Sequence, residues 1–229
     1  MKIYSLIFLL LFGVSHLFGD ETVLRNNTVT SWPRLKIDYP HWDRHKGGDL
    51  SVIRQLDRSI NSGSNEPQHK VARIENLKEM CSYPFLFTCS TRHIKKTEFR
   101  NNLKEYMIRG GFLFIEECGN PSLFPNVDSI LEDEIKSITE ILPNSRIERL
   151  QNGHEIFHCY YNLSEGFPIL VNPKARANRH GLYAIYYHDR IVGAISTGAL
   201  HCAWPFGSQE VANEALKMAV NIYVYAMTN

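Results

Sequence analysis

Glu116-Glu117-Cys118-Gly119 closes a short apolar run, Phe112 to Ile115, and sets two carboxylates and a thiol at one junction. A cysteine where a strand breaks into a glycine turn resembles in placement the nucleophile elbow, which exposes a reactive side chain above a sheet. With His201 as base, Cys118 would support thiol acyl transfer or hydrolysis. The flanking glutamates oppose this, because nearby negative charge disfavours a thiolate, and no Gly-x-Cys-x-Gly pattern is present. A second chemistry has Glu116, Glu117 and His201, with His41 or His45, hold a divalent cation. Neighbouring residues on a strand face opposite sides, so only one glutamate would face such a site unless the turn has begun. The plainer reading has the carboxylates accept hydrogen bonds from loop amides or cap a helix, with Cys118 structural. Spacing alone assigns no metal and no cofactor.

Other loops supply further candidates. Thr197-Gly-Ala-Leu-His-Cys-Ala-Trp204 is polar, small and aromatic just after an apolar strand. Trp204 would stack on a sugar or planar ligand, or else seal the loop against the core. Trp42 and Ser90 lie in segments that follow apolar runs and would contribute to a ligand site with Glu116, Glu117 and Gly119. His154 and His158 flank Ile156-Phe157 and read as anchors of a turn.

These groups converge only if particular elements carry them to one edge. Arg34 to Asp38 alternates as a first strand should. A loop from Tyr39 to Gly48 precedes a helix capped by Asp49, with Leu50, Ile53, Leu56 and Ile60 on one face. Lys70 to Ile74 forms a short second strand, and Tyr83 to Thr88 an apolar one. Thr97 caps a helix with Phe99, Leu103, Tyr106 and Met107 inward. The strand Phe112–Ile115 follows, then a helix from Asp128 to Leu142 that Pro143 stops. Ile147 to Leu150 reads as a strand. Gly181–Tyr187 and Ile191–Ser196 form a hairpin about His188-Asp189-Arg190, and a helix from Gln209 to Tyr225 ends the pattern. Alternating strands and helices imply an α/β fold, a three-layer, doubly wound and mostly parallel sheet with the hairpin as an antiparallel edge. Its loops at Tyr39–Gly48, Cys89–Thr91, Glu116–Pro121 and Thr197–Phe206 would meet at the carboxyl edge.

The ends and the bulk composition set limits. Lys2, an apolar run from Ile3 to Val14 and Gly19 before Asp20-Glu21 read as a secretory signal over residues 1–19. The apolar run is shorter than a membrane span. Leu17 at the −3 position keeps an uncleaved inner-membrane anchor as the alternative, and the lack of a nearby cysteine argues against a lipoprotein. Residues 20–33 form a polar leader, and 34–229 a single α/β domain. The 229-residue chain less its first 19 leaves 210, enough for one well-buried domain. The chain carries 25 basic and 24 acidic residues, and losing Lys2 brings it to formal neutrality. That gives no long-range pull on nucleic acid or anionic lipid. Arg92-His93-Lys95-Lys96 reads as a solvated helix approach. Of the five cysteines, Cys81, Cys89 and Cys159 are expected to be buried thiols.

The order of motifs resembles a bacterial family, domain of unknown function 4159, from about Arg34 to Met227. Tyr83-Pro-Phe-Leu-Phe is followed by Leu103-x-x-Tyr106-x-x-Arg109-Gly-Gly-Phe-Leu-Phe-Ile-Glu-Glu-Cys-Gly119. Leu142-Pro143, His154-x-Ile-Phe157, Leu182-Tyr-Ala-Ile, Ile191-Val-Gly-Ala-Ile-Ser, Cys202-Ala-Trp204 and Asn213 to Tyr225 continue it. The resemblance implies a flavodoxin-like sheet similar to class I glutamine amidotransferase-like domains. There the segment after the central strand corresponds to the place where true amidotransferases carry their cysteine. The family's acidic pair is matched by Glu116 and Glu117. Its Gly-rich Asp-Trp segment is rearranged, with Tyr39, Trp42 and Asp43 present but Gly47-Gly48-Asp49 ending in Leu50. Members are exported or membrane-associated, so the resemblance places this chain in the periplasm or outside the cell.

Together these readings give an exported, non-catalytic binding or assembly module of the bacterial envelope. Its partner would be a small molecule, a glycan or an envelope protein, and not nucleic acid. The alternative is a hydrolase that uses Cys118 as nucleophile or a metal held by Glu116, Glu117 and His201.

Overall fold

The computed structural model describes residues 31–60, 69–117, 127–168, 181–206 and 209–229. The expected signal and most of the expected leader lie outside these residues, as do Cys118 and Gly119. Strands β1 (Arg34–Lys36), β2 (Val71–Arg73), β3 (Phe85–Thr88) and β4 (Phe112–Glu116) alternate with helices α1 (Lys46–Ile60), α2 (Leu77–Met80) and α3 (Thr97–Ile108). Helix α4 (Val127–Ile141), β5 (Arg146–Arg149), β6 (Leu182–Tyr187), β7 (Arg190–Ser196), α5 (Leu200–Phe206) and α6 (Gln209–Thr228) follow.

One seven-stranded sheet runs in the order β2-β1-β3-β4-β7-β6-β5. The pairs from β2 across to β7 are parallel, and β6 is antiparallel to both of its neighbours. The five parallel strands thus follow the flavodoxin-like order, with β7 in the fifth place, and the side on which successive strands are added switches between β1 and β3. The β6–β7 hairpin does not form the edge expected of it. β7 inserts beside β4, and β5 pairs outside β6 to become the margin. The reason lies in composition. Val192, Ala194 and Ile195 of β7 are wholly buried, whereas Arg146, Glu148 and Arg149 of β5 are exposed.

Strand alternation divides the apolar residues into two cores. Phe85, Phe87, Phe112, Phe114, Ala184 and Ala194 face α1, α5 and α6. Leu86, Leu113, Ile115, Ile185, Val192 and Ile195 face α2, α3 and α4. Trp32 is wholly buried and packs against Phe85, Phe87 and Trp204, with ring centroids at 4.6, 5.5 and 5.6 Å. The packed body therefore includes Trp32 and Pro33, ahead of the start expected at Arg34.

Three local expectations are corrected. Asp49 lies in the first turn of α1, which begins at Lys46, so it does not cap the helix from outside. Thr97 opens α3 after Lys96, whose side chain makes no cap hydrogen bond. Cys81 is exposed at the end of α2, and Cys159 is only partly buried. The anchoring of the turn by histidines holds. His154 Nδ1 accepts from the Ile156 N–H, and the His158 ring meets Asn162 Oδ1 at 2.7 Å.

Two glycines of opposite character test the packing. A Cβ on Gly193 would stand 2.4 Å from the Leu113 carbonyl oxygen, a backbone atom of the adjoining strand. One on Gly47, inside α1, would meet nothing within 4 Å. Gly193→Ala should therefore lower the unfolding free energy by roughly 3 kcal/mol, as overpacking against an immovable neighbour does. Gly47→Ala should raise it by roughly 0.5–1 kcal/mol by lowering the entropy of the unfolded chain. Urea denaturation of both variants checks the pair, and equal effects would contradict this packing.

Candidate functional site

Glu116 ends β4 and is wholly buried on the face covered by α5. Its Oε1 accepts the Leu200 N–H at 2.7 Å, and its Oε2 accepts the His201 N–H at 3.3 Å. The His201 ring donates from Nδ1 to the same Oε2. The carboxylate therefore caps the first turn of α5, where unsatisfied amides and the helix dipole favour negative charge.

Burial pushes His201 well below the ordinary histidine value, and the charges of Arg34, His45 and Arg44 push it the same way. A neutral ring with its proton on Nδ1 leaves a lone pair on Nε2. That atom lies 3.8 Å from Cys202 Sγ. The His45 ring stands beside it, its centroid 5.2 Å from that of His201. One ligand atom from each of His45, His201 and Cys202 can be chosen so that all lie within 4.8 Å of one another.

Backbone geometry brings the two helices to this meeting. His45, immediately before α1, and Ala199, immediately before α5, adopt φ values of 55° and 60°. This left-handed region costs a residue with a Cβ about 1–3 kcal/mol and is often retained where a site needs it. Gly48 completes the approach. A Cβ there would lie 3.3 Å from the His201 carbonyl oxygen and 3.1 Å from Pro205 Cδ, so α1 and α5 pack closely where this side chain is missing.

Beneath the site runs a buried ion pair. The Arg34 Nε and Nη2 donate to Asp49 Oδ2 and Oδ1 at 2.7 and 2.6 Å, and neither side chain is exposed. Nη1 donates to the Trp42 carbonyl and to Cys89 Sγ, each at 3.0 Å. The guanidinium also lies over the Phe87 ring at 4.6 Å. Burial alone would lower the Arg34 pKa, but the Asp49 hydrogen bonds and the Asp49 and Cys89 charges outweigh it and hold it above the ordinary value. Burial pushes the Cys89 thiol up to about 11 despite Arg34.

The expected site residues divide between the two faces. Glu116 and His201 converge as described. Glu117 points the other way, as strand alternation requires, and Arg92 Nη2 donates to it at 3.1 Å. Ser90 also lies on that far face, donating to the buried Glu134, which accepts from the Thr91 N–H and hydroxyl at 2.8 Å each. Burial raises the Glu134 pKa and these hydrogen bonds oppose the rise. A metal set of Glu116, Glu117 and His201 is thus not assembled. Trp204 corrects the expectation of a stacking platform. It is 3 % exposed, and its indole N–H donates to the Ala215 carbonyl at 3.2 Å, so it seals α5 against α6. Trp42 packs its ring beside the α2–α4 core, with Lys36 Nζ at 5.7 Å. Cys118 and Gly119 lie outside the described residues.

The matching pattern extends over nearly all of the described body. Residues 32–227 match the family described as Domain of unknown function (DUF4159). The chain belongs to that family. A search of the curated proteins finds no match. Within this member, sequence reading missed the Arg34–Asp49 pair and the position of Cys202 beside His201. A signal for the second was present in the adjacent His-Cys at the start of a polar loop.

Two measurements test this reading. Asp49→Ala strands a buried guanidinium and should cost about 3–5 kcal/mol in unfolding free energy, whereas Arg34→Met with Asp49→Leu should cost far less. His93, stacked on Tyr39 with 3.9 Å between centroids, is held near a pKa of about 4 by burial and by Arg92, Lys95 and Arg44. The unfolded chain takes up that proton near about 6.5, so this contribution is complete above that pH and is lost as the pH falls toward 4. Relative to His93→Phe, the wild type should lose stability across that window, and a constant difference would refute the assignment.

Proposed function

We propose that the chain is an exported, non-catalytic binding module of the bacterial cell envelope. Its body from Trp32 onward acts as one domain on a three-layer, amidotransferase-like scaffold. The observation that carries this reading is the use made of the carboxylates. Glu116 caps α5, Asp49 holds Arg34, Glu117 holds Arg92, and Glu134 accepts from Ser90 and Thr91. Each is engaged in holding the scaffold together. General acid–base chemistry asks instead for a group within reach of a substrate proton, with its pKa near the working pH. What gathers at this edge is a cluster of soft donors, the wholly buried imidazole of His201 with the ring of His45 and the sulfur of Cys202, which suits binding.

The amino-terminal segment supports export, and the family resemblance supports an envelope setting in the periplasm or outside the cell. An uncleaved anchor in the inner membrane is the alternative. Among the described residues no helix is long and apolar enough to cross a membrane. The even charge balance favours a small molecule, a glycan or an envelope protein over nucleic acid.

One observation supports a second reading. The Glu116–His201 pair with Cys202 Sγ 3.8 Å from Nε2 has the order carboxylate, imidazole, thiol that activates cysteine hydrolases. In that case Cys202 would be a thiol within reach of His201, while the nucleophile expected from the sequence, Cys118, lies outside the described residues. Alkylation with iodoacetamide at neutral pH, read residue by residue by mass spectrometry, decides between the two. The binding reading expects Cys202 and Cys118 to label no faster than an ordinary exposed thiol, with less than about a threefold change in His201→Ala. Rapid labelling of either that collapses in His201→Ala would establish the hydrolase instead.

A further inference from the structure

We infer that His45, His201 and Cys202 form a binding site for a divalent cation of the zinc type. The inference rests on the binding-module reading above and names its ligand. Two imidazoles and a thiolate suit zinc and its neighbours, whereas magnesium and calcium seek oxygen. The spacing agrees. A tetrahedral centre with metal–sulfur near 2.3 Å and metal–nitrogen near 2.05 Å sets sulfur and nitrogen about 3.6 Å apart. Cys202 Sγ and His201 Nε2 are 3.8 Å apart, and all three ligand atoms lie within 4.8 Å of one another. Small side-chain rotations close the remainder.

The surroundings are those a metal site needs. His201 gives its Nδ1 proton to Glu116, the carboxylate–histidine arrangement that fixes the tautomer and aims Nε2 at a metal. Glu116 is itself held by two backbone N–H groups of α5, so the ring is locked from behind. His45 sits in the turn immediately before α1, and Gly48 lets that helix pack closely against α5, which carries His201 and Cys202. The ligands thus arise from one turn and one helix whose separation is set before any ion arrives. Asp49 offsets Arg34, while Glu116 and the Cys202 thiolate would bring two negative charges to a divalent ion. Binding would release the Cys202 thiol proton to solvent as the metal–sulfur bond forms. Three protein ligands leave a fourth position for the anionic or sulfur-bearing group of a bound partner.

Cobalt serves as the probe for zinc. The full chain, stripped with a chelator, is titrated with Co²⁺ and then with Zn²⁺. One cobalt per chain is expected, with a thiolate-to-cobalt charge-transfer band that zinc abolishes. Cys202→Ser, a near-isosteric change at a partly buried position, should remove the band and weaken binding at least about tenfold. Glu116→Gln should keep the band and weaken binding about 10–100-fold, as loss of an orienting carboxylate does. No band at stoichiometric cobalt, or a band unchanged by Cys202→Ser in a protein with native circular dichroism, overturns the inference. If cobalt fails while Cys202 alkylates slowly, the metal falls and the binding module stands. Rapid His201-dependent alkylation removes that reading and the metal with it.

Discussion

A single buried carboxylate fixes the carboxyl end of the central strand and the helix that covers it. Glu116 has no exposure, and a charge so placed costs several kcal/mol unless donors surround it. It finds three, two backbone N–H groups and one ring N–H, all from the start of α5. The position of α5 over β4, the left-handed turn at Ala199 and the tautomer of His201 are consequences of satisfying that one charge. The chemistry of the edge is therefore set by what Glu116 must receive, and Nε2 is the atom left over.

A second buried charge organises the neighbouring strand in the same manner. Arg34 opens β1, and its side chain reaches Asp49 in the first turn of α1, the Trp42 carbonyl and Cys89 after β3. One guanidinium thereby ties two strands, a loop and a helix. Trp32 lies two residues earlier and is the hub of the aromatic core. The switch in strand order between β1 and β3 is thus held by a polar clamp set against an aromatic core, and α1 is fixed from both sides before it meets α5.

Much of this was legible in the residues. The run Phe112 to Ile115 reads as a buried parallel strand because it is apolar throughout and stands between a glycine pair and a polar turn, and the structure covers all of it together with Glu116. Alternation also separated Glu116 from Glu117 before any coordinates. Other features were hidden for physical reasons. α5 carries Pro205 and spans only seven residues, so its periodicity is too brief to register beside a Gly- and Trp-containing loop. Arg34 at the head of an alternating strand reads as a solvent position, and its partner stands fifteen residues away on a helix. The hairpin reads as a margin because local pairing says nothing about which strand lies outside it. Cys202 showed only as a neighbour of His201 in sequence, whereas its bearing on Nε2 and His45 depends on the packing of α1 against α5.

The margins of the sheet bear on how the protein behaves among other copies of itself. β5 shows Arg146, Glu148 and Arg149 to solvent, with Arg146 paired to Glu148 and lying over the Tyr186 ring at 4.0 Å. At the opposite margin, β2 is three residues long. An open strand is a template for aggregation, and charge and brevity are two ways in which natural sheets discourage it. A second chain adding to β5 would have to strip water from three charged side chains, and one adding to β2 would gain only a few backbone hydrogen bonds. Among the described residues both margins of the sheet are thus poor templates for a further strand, one by charge and the other by brevity.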